Sequence, residues 1–327
     1  MGVKNDKQST IKTMGAKQFF DRFGMLCVLI LICAAISIAN EKFLTFGNWQ
    51  NLVRQISING ILALGMTFVI LSGGIDLSIG PVVALSGVIA AKFMRDHEGA
   101  PIVVPILLAI LVCAVLGMFY GFVISWSGLP PFVVTLSIMQ IARGIALAYT
   151  DGQPIIIKDT FFRMIGQGEV FNIVPVPFIL FLVIFLLSLF LLKQTRFGRY
   201  IYAIGGNADA ARASGVNVRK YNTLVYMLNA SFVGLAGLIL AARTQSGQPA
   251  VGTGFECDAI AAVVIGGTSM SGGTGGVTGT IIGILIIGVI NNGLNLLGVS
   301  SYYQTVAKGV MSLPAVLLDV VTKKVTK

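Results

Sequence analysis

Apolar residues along this chain gather into long, nearly continuous runs instead of the narrow stripes that mark the helices of a soluble core. The runs fall at about 23–40, 56–72, 77–93, 102–126, 131–150, 174–192, 221–242, 257–270, 275–297 and 303–320. Roughly 20 apolar residues suffice for a helix to cross a bilayer. The pattern predicts an all-α integral membrane protein with about ten transmembrane helices. The first run follows a basic stretch, as in a signal peptide, but it lacks an Ala-x-Ala cleavage site and starts after a polar segment, so it reads as an uncleaved anchor.

Composition agrees. Of 327 residues, 55% are apolar and 11% charged, against about 25% charged in a soluble domain. Ten spans leave no room for a large domain outside the membrane. The single histidine, His97, and the cysteines Cys27, Cys33, Cys113 and Cys257 show no metal-ligand spacing. The chain is therefore expected to hold no cofactor and to be no enzyme.

The formal charge of +10 changes the picture only through its placement. Lys4, Lys7, Lys12, Lys17 and Arg22 precede the first run; Lys193, Arg196, Arg199, Arg212, Arg219 and Lys220 follow the sixth; Lys323, Lys324 and Lys327 follow the tenth. With ten spans these fourteen residues share one side, which the positive-inside rule makes cytoplasmic. Both termini are then cytoplasmic. The chain divides into a basic N-terminus (1–22), a transmembrane domain (23–320) with a cytoplasmic loop at 193–220, and a tail (321–327). A charge excess explained by topology leaves the lipid bilayer as its partner and removes the case for nucleic acid. Lys42, Arg54, Arg95, Lys158, Arg163 and Arg243 fall on the opposite side.

Two runs are broken by glycine. The first break holds Gly73, Gly74, Asp76, Ser78, Gly80 and Pro81, the second Gly266, Gly267, Ser269, Ser271, Gly272 and Gly273. Aligning Gly73-Gly74 with Gly266-Gly267 also aligns Ser78 with Ser271, which suggests two repeat-like halves with broken helices in matching places. Backbone freed at membrane depth must be buried in protein or line a watery cavity, so the breaks favour transport over simple anchoring. A carboxylate is costly at the bilayer centre, which places Asp76 near an interface, at a helix N-terminus or facing protein. There it either caps the third helix or takes a direct part in transport. Gly275, Gly279 and Gly283, like Gly117 and Gly121, have the spacing of close helix packing.

The cytoplasmic loop carries the most specific signal. Asn207 suits an N-cap, Asp209 the first turn, Ala208, Ala210, Ala211 and Ala213 the helix body, and Gly215 the C′ position, with Arg212 and Ser214 between. A helix of about two turns is marginal in water by itself, so it needs either the membrane domain or a partner protein to hold it.

This short Ala-rich helix ending in Gly215 resembles the coupling helix of bacterial ATP-binding-cassette importers. The flanking Thr195-Arg196-Phe197-Gly198-Arg199-Tyr200 is similar to the ribose, xylose, arabinose and galactoside permease family, as are the segments 73–80, 130–136, 258–269 and 291–304. The likeness is greatest to the ribose permeases and runs from about residue 45 to 320. It implies a bacterial inner-membrane permease, paired with a second copy or a paralogue. A cytoplasmic ATPase carrying ATP and Mg would dock on 207–215, and a periplasmic sugar-binding protein would deliver a monosaccharide such as ribose, allose, xylose or galactose. No phosphate-binding loop occurs in the chain, so ATP hydrolysis belongs to another polypeptide.

A sugar pathway needs hydrogen-bonding side chains at membrane depth. Thr135, Gln140, Asn229, Asn291, Asn292 and Asn295 are the candidates, with interhelical hydrogen bonding as their alternative role. Arg143 needs a cavity, a carboxylate or an interface. The competing function is a stand-alone, ion-coupled transporter or channel, for which Asp76 is the one intramembrane carboxylate.

Overall fold

A computed structural model describes residues 24–300, 302–307, 309 and 310. The basic N-terminus 1–22, the tail 321–327, Lys308 and the second half of the run at 303–320 lie outside the described residues. Helix α1 covers Gly24–Ala39. It is followed by α2 (Phe46–Leu71), α3 (Ile79–Asp96), α4 (Val103–Ser127), α5 (Pro131–Thr150), α6 (Thr160–Gln167), α7 (Val176–Gln194), α8 (Arg196–Gly206), α9 (Ala208–Ala213), α10 (Val218–Thr244), α11 (Phe255–Ile265) and α12 (Val277–Leu296). A last helix, α13, begins at 302. Two short antiparallel ladders pair Ile155–Ile156 (β1) with Ser246–Gly247 (β4), and Glu169–Val170 (β2) with Val174–Pro175 (β3).

Among the described residues six helices, α2, α4, α5, α7, α10 and α12, are long and apolar enough to cross a membrane. The protein is an all-α, multi-pass membrane protein. Each predicted run is helical where it is described, but the boundaries move. The run at 56–72 begins ten residues earlier, at Phe46, and the run at 257–270 ends at Ile265 because Gly266 and Gly267 close the helix there. At 11 residues α11 is about 16 Å long, half a bilayer.

Local chemistry sets the ends. Gly128 in the left-handed region stops α4, and Pro131 opens α5 at its first turn, where a missing N–H costs nothing. Asp159 caps α6 by accepting from Phe162 N at 2.8 Å. That helix, inside the 151–175 loop, has no apolar run to announce it.

Helix α2 is the axis of the bundle: Leu62, Leu64, Met66 and Phe68 are fully buried on successive faces, packed by α10, α11, α12 and α7. The most extensive pairing is α4 on α10. Gly117 and Gly121 allow it, since a Cβ at Gly117 would lie 2.4 Å from Ala230 Cβ. Gly279 and Gly283 likewise seat α12 on α11, whereas Gly275 precedes α12 and belongs to the break. The outward faces of α4 and α7 are apolar, as a lipid-facing surface requires.

Candidate functional site

Asn207 Oδ1 accepts from Asp209 N at 3.0 Å and Ala210 N at 2.9 Å, satisfying two of the free amides at the start of α9. At the other end Gly215, with φ of 85°, donates to Arg212 O, and Val216 N donates to Ala211 O, a Schellman closure. Ser214 Oγ donates to Ala210 O, and Asp209 pairs with Arg212 on the solvent side. Ala211 is buried against Ile204 and Val218. So a helix of six residues is held by two caps and one small apolar contact, with Ala208 half-buried and Asp209, Ala210, Arg212 and Ala213 exposed.

The residues before it form α8, an element the apolar pattern did not reveal. Thr195 accepts from Gly198 N, and Phe197, Ile201 and Ile204 recur at helical spacing on its inner face. A capping threonine followed by that spacing is the signal that sequence reading passed over. Phe197 packs toward Phe68 of α2 and Tyr221 of α10.

Both breaks are Schellman ends. Gly73 N donates to Ile70 O and Gly74 N to Val69 O; Gly267 N donates to Val264 O and Thr268 N to Val263 O. Gly73 and Gly267 both have φ of 83°, a conformation that glycine adopts without strain. The equivalent pair is thus Gly73 with Gly267, one residue away from the alignment of Gly73 with Gly266. Beyond the caps the two diverge. Ser78 stands at the start of α3, whereas Ser271 is an exposed loop residue six positions before α12, its N–H donating to Ser269 Oγ.

The two breaks meet each other and the end of α8. Gly273 N donates to Leu71 O at 3.0 Å. A Cβ on Gly205 would lie 1.8 Å from Leu71 O and 2.5 Å from Gly273 N, and one on Gly272 would lie 2.9 Å from Gly205 Cα and from Gly73 N. Three backbones touch here with no side chain between them. Tyr202 OH donates to Gly275 O at 2.9 Å, and burial raises its pKa, keeping the phenol a donor. The segment leading into α9 therefore rests directly on both broken helices.

Asp76 is buried inside the protein. Its Oδ1 accepts from Ser78 N at 2.8 Å and Ser78 Oγ at 2.6 Å; its Oδ2 accepts from Tyr120 OH at 2.6 Å and Asn229 Nδ2 at 2.7 Å. Asn229 stands 11 residues into the 27-residue α10, about 16 Å along an axis of about 40 Å. The carboxylate lies between α4 and α10, well inside both helices. Two of the surroundings expected for it are present together: it stands at the N-terminus of α3, bonded to the N-cap Ser78, and it faces protein. It bridges the first break to α4 and α10, and it accepts from the residue that precedes α3, not from the first turn of that helix.

The six pathway candidates are not gathered in one place. Thr135 donates to Pro131 O within its own helix, and Asn229 serves Asp76. Asn292 exchanges two amide hydrogen bonds with Asn48, at 2.8 and 3.0 Å, tying the end of α12 to the start of α2. Asn291 Nδ2 reaches Asp258 Oδ2 at 3.4 Å, and Asn295 accepts from Gln304. Gln140 alone among them is exposed on a span without a hydrogen bond assigned to it. Arg143 reaches two backbone carbonyls, Pro249 O and Val251 O, with the Glu256 carboxylate close enough to interact with its charge.

On the side opposite α9, Arg54 is paired with Glu169 and Arg243 is half-buried, so neither is a free surface charge; Lys42, Lys158 and Arg163 are exposed. A cleft of about 560 Å³ opens there between the end of α3 and residues 154–159, edged by Arg95, His97, Glu98, Lys158 and Asp159.

Residues 48–316 match the family described as the permease component of branched-chain amino acid transport systems. That range takes in α9, both breaks and every candidate pathway residue. The chain belongs to this permease family. The permease is 48% identical over 315 residues to the ribose import permease protein of Bacillus subtilis, covering 96% of each chain. It is 46% identical to the ribose import permease protein of Haemophilus influenzae over 89% of its own length and 90% of that relative. It is 40% identical to the D-allose transport system permease protein of Escherichia coli, covering 92% of each. No solved structure matches the permease.

Proposed function

We propose that the permease is the membrane-spanning subunit of an ATP-binding-cassette importer that carries a monosaccharide, ribose or a close relative such as allose, xylose or galactose, across the bacterial inner membrane. The observation that carries this reading is α9: a doubly capped, solvent-facing helix whose preceding segment rests on two broken membrane helices. Such a helix suits a cytoplasmic ATPase, which supplies the ATP and Mg this chain is not expected to bind. The likeness to ribose and allose permeases favours a sugar.

In this reading the chain crosses the membrane ten times with both termini cytoplasmic, and a second copy or a paralogue closes the pathway. A periplasmic sugar-binding protein docks at the far side, where Lys42, Lys158, Arg163 and the cleft beside His97 lie. Closure of the ATPase pair displaces α9, and the glycine contact at Leu71, Gly205 and Gly273 passes the displacement to both breaks.

The test is reconstitution in liposomes with the ATPase and the binding protein, following labelled ribose, allose, xylose and galactose. ATP-dependent uptake of one of them is expected. Uptake that ignores ATP and follows an ion gradient would establish the stand-alone transporter instead. Gly215→Val isolates the docking element. A branched residue forced to φ of 85° costs about 1–2 kcal/mol, enough to open the C-terminal cap of a helix this short. Co-purification of the ATPase should fall about tenfold or more with that variant, and undiminished co-purification with normal uptake would remove α9 from the docking role.

A further inference from the structure

Residues 245–254, between α10 and α11, form no helix, yet one side of the segment is packed into the protein. A Cβ on Gly247 would lie 2.6 Å from Ala91 Cβ, and one on Gly252 would lie 2.5 Å from Gly80 O. The segment therefore runs along α3 from Ala91 to Gly80, about 16 Å of helix. Gly80 stands two residues beyond Ser78, which binds the buried carboxylate of Asp76. Non-helical backbone thus runs deep along a helix of the apolar bundle, where it must be satisfied by protein or line a water-filled cavity.

Both conditions are met, one on each side. Toward the protein, Gly247, Pro249 and Gly252 are buried, and Arg143 of α5 donates through Nη1 to Pro249 O and Val251 O. Glu256 Oε2, just beyond the segment, is buried with no hydrogen-bond partner and would lie 2.9 Å from a Cβ on Gly80. Away from the protein, Gln248, Ala250 and Thr253 are exposed. Gln140, one turn before Arg143 on the same face of α5, is exposed as well. Hydrocarbon cannot cover amides and hydroxyls at this depth without a penalty of several kcal/mol each, whereas it covers the apolar faces of α4 and α7 at no cost.

We infer that the segment 246–254, held by Arg143, is one wall of an aqueous pathway, and that Gln140, Gln248 and Thr253 are the groups it presents to a neutral, hydroxyl-rich solute. Amides and a hydroxyl offer donors and acceptors without fixed charge, which suits a sugar and repels neither anomer nor epimer. Arg143 is a positioning residue: its guanidinium supplies the hydrogen bonds that a partner strand would otherwise give. The nature of the solute rests on the function proposed above; the wall does not.

The experiment is cysteine reactivity in the assembled complex, in a background with Cys27, Cys33, Cys113 and Cys257 replaced. Gln140→Cys, Gln248→Cys and Thr253→Cys should react with a charged, membrane-impermeant methanethiosulfonate at least tenfold faster than Leu111→Cys or Leu186→Cys on the lipid-facing helices. Ribose in excess should slow them. Rates no faster than at Leu111→Cys overturn the wall. Arg143→Met should lower uptake about tenfold with the ATPase still attached, Arg143→Lys should restore part of it, and wild-type uptake in Arg143→Met removes the positioning role; should Arg143→Met not fold, the labelling decides. Fast labelling with no ATP-driven sugar uptake would leave the wall standing and the sugar assignment fallen. Uptake with slow labelling would do the reverse.

Discussion

Gly205→Ala is expected to cripple transport by the importer proposed above while leaving its ATPase docked. The added methyl would sit 1.8 Å from Leu71 O and 2.5 Å from Gly273 N, and both neighbours are backbone, which cannot swing aside as a side chain does. Relief requires the end of α8 to withdraw from both breaks. Overpacking of this kind costs about 1–3 kcal/mol, less than the stability of a folded bundle. The caps at Asn207 and Gly215 and the contact of Ala211 with Val218 do not involve this site. Sugar carried per ATP hydrolysed should fall about tenfold or more, while ATPase co-purification stays within about twofold of wild type. Gly206→Ala is the control, because nothing lies within 4 Å of a Cβ there. Normal coupling in Gly205→Ala would show that displacement of α9 reaches the membrane helices by another route.

Asp76→Leu should be strongly destabilising. It removes the acceptor for Tyr120 OH, Asn229 Nδ2 and both donors of Ser78, all buried. A buried donor left unsatisfied costs about 1–3 kcal/mol, and the losses fall on three elements at once. Folded yield in membranes should drop severely. Asp76→Asn keeps the shape and one acceptor, and the unpartnered Oδ1 of Asn229 could accept from the new amide if that side chain turned over. Its thermal midpoint in detergent should fall between wild type and Asp76→Leu. A midpoint for Asp76→Leu equal to wild type would mean that the network contributes nothing to the fold.

The two sites differ in how plainly the sequence shows them. Asn207, Asp209 and Gly215 act through hydrogen bonds to residues two or three positions away, so their spacing is itself the signal. The same holds for the helix ends at Gly73 and Gly267, although a repeat drawn by matching glycine pairs is one residue out of step with the backbone. What Asp76 binds could not be read, because Tyr120 and Asn229 are 44 and 153 positions away. Segment 245–254 escaped for another reason. Its composition is that of an ordinary loop, and only its packing along α3 and the reach of Arg143 show that it runs into the helix bundle. Polar residues within spans were visible, but their partners were not, so Asn292 looked as available to a solute as Gln140 does.

The reciprocal amide pair of Asn48 and Asn292 gives α2 a fulcrum. The helix is pinned to α12 at Asn48 and, 23 residues on, meets Gly205 and Gly273 through the backbone of Leu71, whose side chain is buried in the core. An arm of that length, about 35 Å, needs a swing of only about 3° to carry its Leu71 end about 2 Å.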